Sequence, residues 1–79
     1  LQNARLLSVT LPVGSACVGQ PLGSQALPAA HVTVVSLRRP SGVITQPADT
    51  LVLQAGDTLV LSGLPEPLAL AESRLLGAD

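Results

Sequence analysis

The chain has 79 residues, room for one domain, with a formal net charge of −1 and 11% charged residues. It contains no Phe, Tyr, Trp or Met, so it offers nucleic acid neither a basic field nor aromatic platforms on which bases could stack. Its longest apolar stretch, residues 26–37, is broken by Pro28, His31, Thr33 and Ser36 and is shorter than the ~20 apolar residues that cross a bilayer.

A single Cys17 cannot form an internal disulfide and fits a reducing compartment. The core must come from Leu, Val, Ile and Ala, and a chain of this size buries only about 60–65% of its unfolded surface. Without aromatics, disulfides or a metal, such a domain is expected to lean on a partner surface, either a second copy or a neighbouring domain. Opening at Leu1 rather than at a methionine, the sequence reads as a single domain over residues 1–79, with its core at about 5–76, taken from a longer chain. No basic leader followed by an apolar run is visible, so no secretory signal is expected.

Residues 5–11 alternate, with Leu7, Val9 and Leu11 on one side, which predicts a strand ended by Pro12. Ser15 is placed to cap a short helix from Ala16 toward Leu27, but Gly19, Pro21 and Gly23 oppose its interior, so a broken or partly 3₁₀ segment is expected. Residues 31–39 form the strongest strand pattern, with Val32 and Val34 on one face and Thr33, Val35 and Leu37 on the other. Pro40-Ser41-Gly42 is a turn, and Val43-Ile44-Thr45 makes a hairpin partner. Leu51–Leu53 is a brief extended piece, and residues 58–61 form a buried strand closed by Ser62-Gly63. From Pro65 a helix begins, with Leu64, Leu68, Ala71 and Leu75 in one stripe, Glu66 and Arg74 matched to the helix dipole, and Gly77 as its stop. The fold class is α+β: a small, mainly antiparallel sheet of four or five strands, a short helix after the first strand, and a C-terminal helix.

Chemistry is sparse. Cys17 and His31 are the only thiol and imidazole. A nucleophile–base pair between them is conceivable, against the simpler reading of Cys17 as a small buried hydrophobe on an apolar helix face and of His31 as a solvated strand end. Asp49, Asp57, Glu66, Glu72 and Asp79 are dispersed without pairing. Asp57, after Gly56 in a turn, is suited to accept backbone N–H bonds. The glycines match no nucleotide-binding spacing, and the sequence points to no catalytic residue, metal or cofactor. Arg38-Arg39, beside the Pro-Ser-Gly turn, could hold a phosphate or carboxylate, or else cover the end of the sheet or pair with a neighbouring domain.

Taken in order, residues 18–22 (Val-Gly-Gln-Pro-Leu), 32–39 (Val-Thr-Val-Val-Ser-Leu-Arg-Arg), 47–50 (Pro-Ala-Asp-Thr) and 54–63 (Gln-Ala-Gly-Asp-Thr-Leu-Val-Leu-Ser-Gly) resemble the TrkA-C domain, also called the RCK C-terminal domain. The tail from Pro65 to Leu76 is similar to the end of Kef-type monovalent cation/proton antiporters. The resemblance implies a cytoplasmic regulatory module of a potassium/proton antiporter or another potassium transport system, at the inner face of the membrane and not itself inserted. It implies a homodimer, docking against a transporter membrane domain or a Rossmann-like domain of the parent chain, and a small-molecule effector. In some members of that family a cyclic dinucleotide binds between two copies, helped by an arginine just before the central strand. Here residues 27–31 read Leu-Pro-Ala-Ala-His without one, which argues against that ligand. Val32, Thr33, Val34, Arg38 and Arg39 are the candidate ligand-binding residues. The alternatives are a purely structural dimerisation domain and a TrkA-C module of a different transporter or regulator.

Overall fold

The computed structural model describes residues 3–78; Leu1, Gln2 and Asp79, the last of the dispersed acids, lie outside it. Four strands, β1 (Arg5–Thr10), β2 (Thr33–Arg39), β3 (Gly42–Thr45) and β4 (Thr58–Gly63), form one antiparallel sheet in the order β1-β4-β2-β3. β4 enters last and fills the space between β1 and β2. It is therefore paired on both sides, and its Leu59 and Leu61 are fully buried. A helix, α1 (Pro65–Leu76), follows at once and lays Leu68, Ala71 and Leu75 into the same core as Val9, Leu37, Leu59 and Leu61.

The predicted elements are present, with two corrections that have physical causes. The segment after β1 is broken and partly 3₁₀, as its glycines and prolines predict, and the correction there concerns Cys17. It runs through turns into two 3₁₀ turns, Leu22–Gln25 and Pro28–Ala30, because Gly19 sits at φ +86 and Pro21 and Pro28 lack the N–H a longer helix would need. Cys17 is accordingly buried in a turn, not on a helix face. In β2 the expected alternation is interrupted. Val34 faces Leu61 and Ser36 faces Val60, so Val35 is an extra residue, a bulge. The bulge reverses the parity of the strand and brings Leu37 and Arg39 to the face that Val34 occupies, instead of leaving Leu37 with Thr33 and Val35.

The segment 51–53 joins no strand of the sheet but pairs with the segment after β1. The N–H groups of Gly19, Leu22 and Gly23 donate to the carbonyls of Leu53, Leu51 and Asp49, Leu53 N–H returns a bond to Gln20, and Pro21 bridges Val52. Gly23 is required here for space, since a Cβ would lie 2.8 Å from Cβ of Asp49. This short ribbon carries Leu22 and Leu53 into the core.

The end of α1 is closed by distant residues. Gly77 stops the helix in extended backbone (φ −73, ψ 143) and not in the left-handed form usual for glycine. The carbonyls left over at a helix C-terminus need donors, and the turn at residues 15–17 supplies them. Ser15 Oγ donates to Leu75 O at 2.6 Å, Ala16 N–H to Gly77 O at 3.0 Å, and Cys17 Sγ approaches Arg74 O at 3.8 Å. Ser15 Oγ in turn accepts from Cys17 N–H. Ser15→Ala removes both bonds inside the protein and should cost about 1–3 kcal/mol, measured by urea unfolding. A change within a few tenths of a kcal/mol would show that the clamp contributes nothing.

Candidate functional site

Two constellations gather the polar side chains that sequence singles out. The first lies where β4 begins. Gln54-Ala55-Gly56-Asp57 is a turn closed by Asp57 N–H donating to Gln54 O, with Gly56 at φ +87, the conformation a type II turn demands of its third residue. The turn presents the Asp57 carboxylate inward, where it is 1% exposed. Asp57 stands one step beyond the Arg38–Thr58 pair of β2 and β4, level with Arg39. Arg39 meets it as a fork: Nε donates to Oδ1 at 2.9 Å and Nη2 to Oδ2 at 3.1 Å. Nη2 also donates to Val52 O at 2.6 Å, and Gln54 N–H donates to Asp57 Oδ2 at 2.8 Å. The hydrogen bond to Asp57 raises the Arg39 pKa above its ordinary high value, outweighing the lowering by burial, with the charge of Asp57 adding to the rise.

The second is a cleft of about 410 Å³ at the opposite side of β2 from β4. Leu22, Leu27 and Pro28 come from the two 3₁₀ turns, and Thr33 and Val34 from the start of β2. Gln46, Pro47 and Asp49 come from the loop after β3, while Gly23 sits where that loop and the ribbon meet. The cleft exists because β3 is short. Its last pair is Thr45 with Ser36, so on the side away from β4 no strand pairs with Thr33 and Val34. Gln46 N–H donates to Val35 O and turns the chain away at that point. Ala26, His31 and Gln46 hold left-handed backbone at φ 53, 64 and 46, each within or beside a segment that lines the cleft. Such conformations are costly for residues other than glycine, and they collect at binding sites whose surroundings enforce them.

The five ligand-binding candidates separate. Thr33 and Val34 line the cleft. Val32 is in the core, 1% exposed, and Arg39 is engaged with Asp57 and Val52. Arg38 is exposed on the outer face of the sheet, opposite Val43 and Thr58. The two arginines therefore point to different faces and do not converge on one ligand. Sequence reading missed Leu22, Leu27, Pro28, Gln46, Pro47 and Asp49 as cleft residues. The available signal was Pro47-Ala48-Asp49-Thr50, which carries part of the family resemblance. Cys17 Sγ donates to Gln25 Oε1 at 3.0 Å, so its close partner is an amide and not His31, which is exposed at the end of the second 3₁₀ turn. Among the described residues no group of three or more His, Cys, Asp or Glu could hold a metal, and no helix is long and apolar enough to cross a membrane.

A four-stranded antiparallel sheet with a C-terminal helix on one face is the fold of an RCK domain. The crystal structure of the GsuK RCK domain superposes on 91% of this chain with a TM-score of 0.72 at 20% identity. This chain spans 16% of that longer one. The TrkA-C domain matches residues 6–76, and the chain belongs to that family. No curated protein matches it.

Replacing Arg39 by Lys keeps the charge but loses the fork and the bond to Val52. It should cost about 1.5–3 kcal/mol, the range for hydrogen bonds to charged groups. Arg38→Ala, on the exposed face, should stay within about 0.5 kcal/mol of the parent. Urea unfolding of the two variants side by side checks the contrast, and equal effects would contradict the separation of roles.

Proposed function

We propose that this domain is a cytoplasmic regulatory, ligand-sensing and dimerisation module of a potassium/proton antiporter, at the inner face of the membrane, and that it is one part of a longer chain. TrkA-C and RCK domains are in general regulatory rather than catalytic parts of potassium transport systems. The observation that carries the reading is the family match across residues 6–76 together with the cleft beside β2. The similarity of Pro65–Leu76 to the end of Kef-type antiporters favours an antiporter over other potassium systems. Self-association is favoured by an aromatic-free core in a 79-residue chain, which leaves little margin for an isolated monomer. The domain acts by effector occupancy of the cleft altering how it meets its second copy or the adjoining parts of the transporter. In this reading Cys17 and His31 carry no reaction.

The complete reading frame is expected to encode apolar segments of bilayer-spanning length ahead of this domain. A frame that encodes only a short, free-standing protein would contradict the transporter reading. Sedimentation equilibrium over a wide concentration range should give a mass tending to twice that of the chain, and a monomer at all concentrations would contradict dimerisation.

A further inference from the structure

The cleft beside β2 has a composition that selects among classes of ligand. Leu27, Pro28, Val34 and Pro47 give it apolar walls, and its volume is within the ~300–1,000 Å³ range of small-molecule sites. Asp49 is the one charged side chain that lines it; no Arg, Lys or His does. The Asp49 carboxylate accepts no hydrogen bond from any described residue, and Asp49 is exposed. Arg39, the nearest thing to an anion receptor in the sequence, is committed to Asp57 and Val52.

Several of the backbone donors around the cleft are also engaged elsewhere. An anion site without cationic side chains is built from free N–H groups. Pro28 and Pro47 have none. The N–H groups of Leu22, Gly23 and Gln46 are spent on Leu51, Asp49 and Val35. Among the side chains that line the cleft, the Asp49 carboxylate is the one charged group and accepts only, while the Thr33 hydroxyl and the Gln46 amide can each accept or donate.

We infer that the cleft takes a small ligand with an apolar body and a protonated amine, the amine set on Asp49, and that it disfavours phosphate-bearing and carboxylate ligands. This rests on the reading of the domain as effector-sensing and supplies the chemical class of the effector. Because Asp49 is exposed, the charge adds a modest, salt-screened selectivity to a binding energy that comes mainly from the apolar walls.

The test is a ¹H–¹⁵N NMR titration of the chain with cyclohexylamine, cyclohexanol and cyclohexanecarboxylate. All three should move the amides of Thr33, Val34, Gln46 and Asp49. Cyclohexylamine should bind about two- to five-fold more tightly than cyclohexanol, the carboxylate more weakly than either, and added salt should narrow the spread. Asp49→Asn, at an exposed position whose backbone bond to Gly23 is retained, should remove the amine's advantage and leave cyclohexanol unchanged. Tighter binding of the carboxylate, or an amine preference that survives Asp49→Asn, overturns the ligand class while leaving the effector-sensing reading in place. Amides that move with none of the three overturn the cleft as an effector site. The transporter reading stands or falls separately, on the reading frame.

Discussion

Where β2 ends and β4 begins, a nearly fully buried carboxylate is held by a guanidinium fork, and three separate stretches of chain meet on that contact. Asp57 fixes its own turn through Gln54 N–H and fixes the end of β2 through Arg39. Its backbone carbonyl accepts from Leu11 N–H, and Gly56 N–H donates to Leu11 O, so the end of β1 is tied to the same point. Arg39 then reaches past the carboxylate to Val52 O and draws in the ribbon that pairs with residues 19–23. A domain of this size is stable by only several kcal/mol, at ~0.05–0.15 kcal/mol per residue. Asp57 is buried while Arg39 is only partly so, and stranding the carboxylate costs up to the ~3–5 kcal/mol of a broken buried pair, so the fold depends on the arginine that meets it.

That structural demand decides what the rest of the molecule can do. An arginine that looks like a phosphate receptor in the sequence is unavailable as one, because its donors are turned inward on Asp57 and Val52. The ribbon it anchors carries Leu22 and Gly23, and Gly23 N–H holds Asp49 in place. The same network that engages the Arg39 cation thus also holds the Asp49 backbone beside the cleft. The short β3 and the left-handed residues around the opening leave the edge of β2 uncovered at Thr33 and Val34. This concave surface is the one on which the proposed effector reading rests.

Much of the architecture was readable from residue pattern. Alternation marked β1, the Pro-Ser-Gly turn marked the β2–β3 hairpin, and the spacing of Leu64, Leu68, Ala71 and Leu75 marked α1. Asp57 in its turn was legible as an acceptor of backbone N–H bonds, although its arginine partner was not, since the two are eighteen residues apart and only the sheet register brings them level. The parity of β2 was misread because a bulge leaves no local trace in a run of β-branched residues: Val35 looks like any other valine until the register against β4 is known. The broken, partly 3₁₀ character of the segment after β1 was legible in Gly19, Pro21 and Gly23, whereas the place of Cys17 in a turn and not on a helix face was not. The cleft was mostly illegible, because it is a gap left by the early end of β3 and lined from three segments that no spacing relates.

The central claim is that Arg39 and Asp57 act as one unit in holding the sheet ends and the ribbon together. A double-mutant cycle measured by urea unfolding, with Arg39→Met, Asp57→Leu and the double variant, tests it most directly. If the account is right, Arg39→Met, which strands the buried carboxylate, is destabilised by up to about 3–5 kcal/mol and Asp57→Leu by less, while the double, which strands no buried charge, loses less than their sum. Costs that simply add would contradict it.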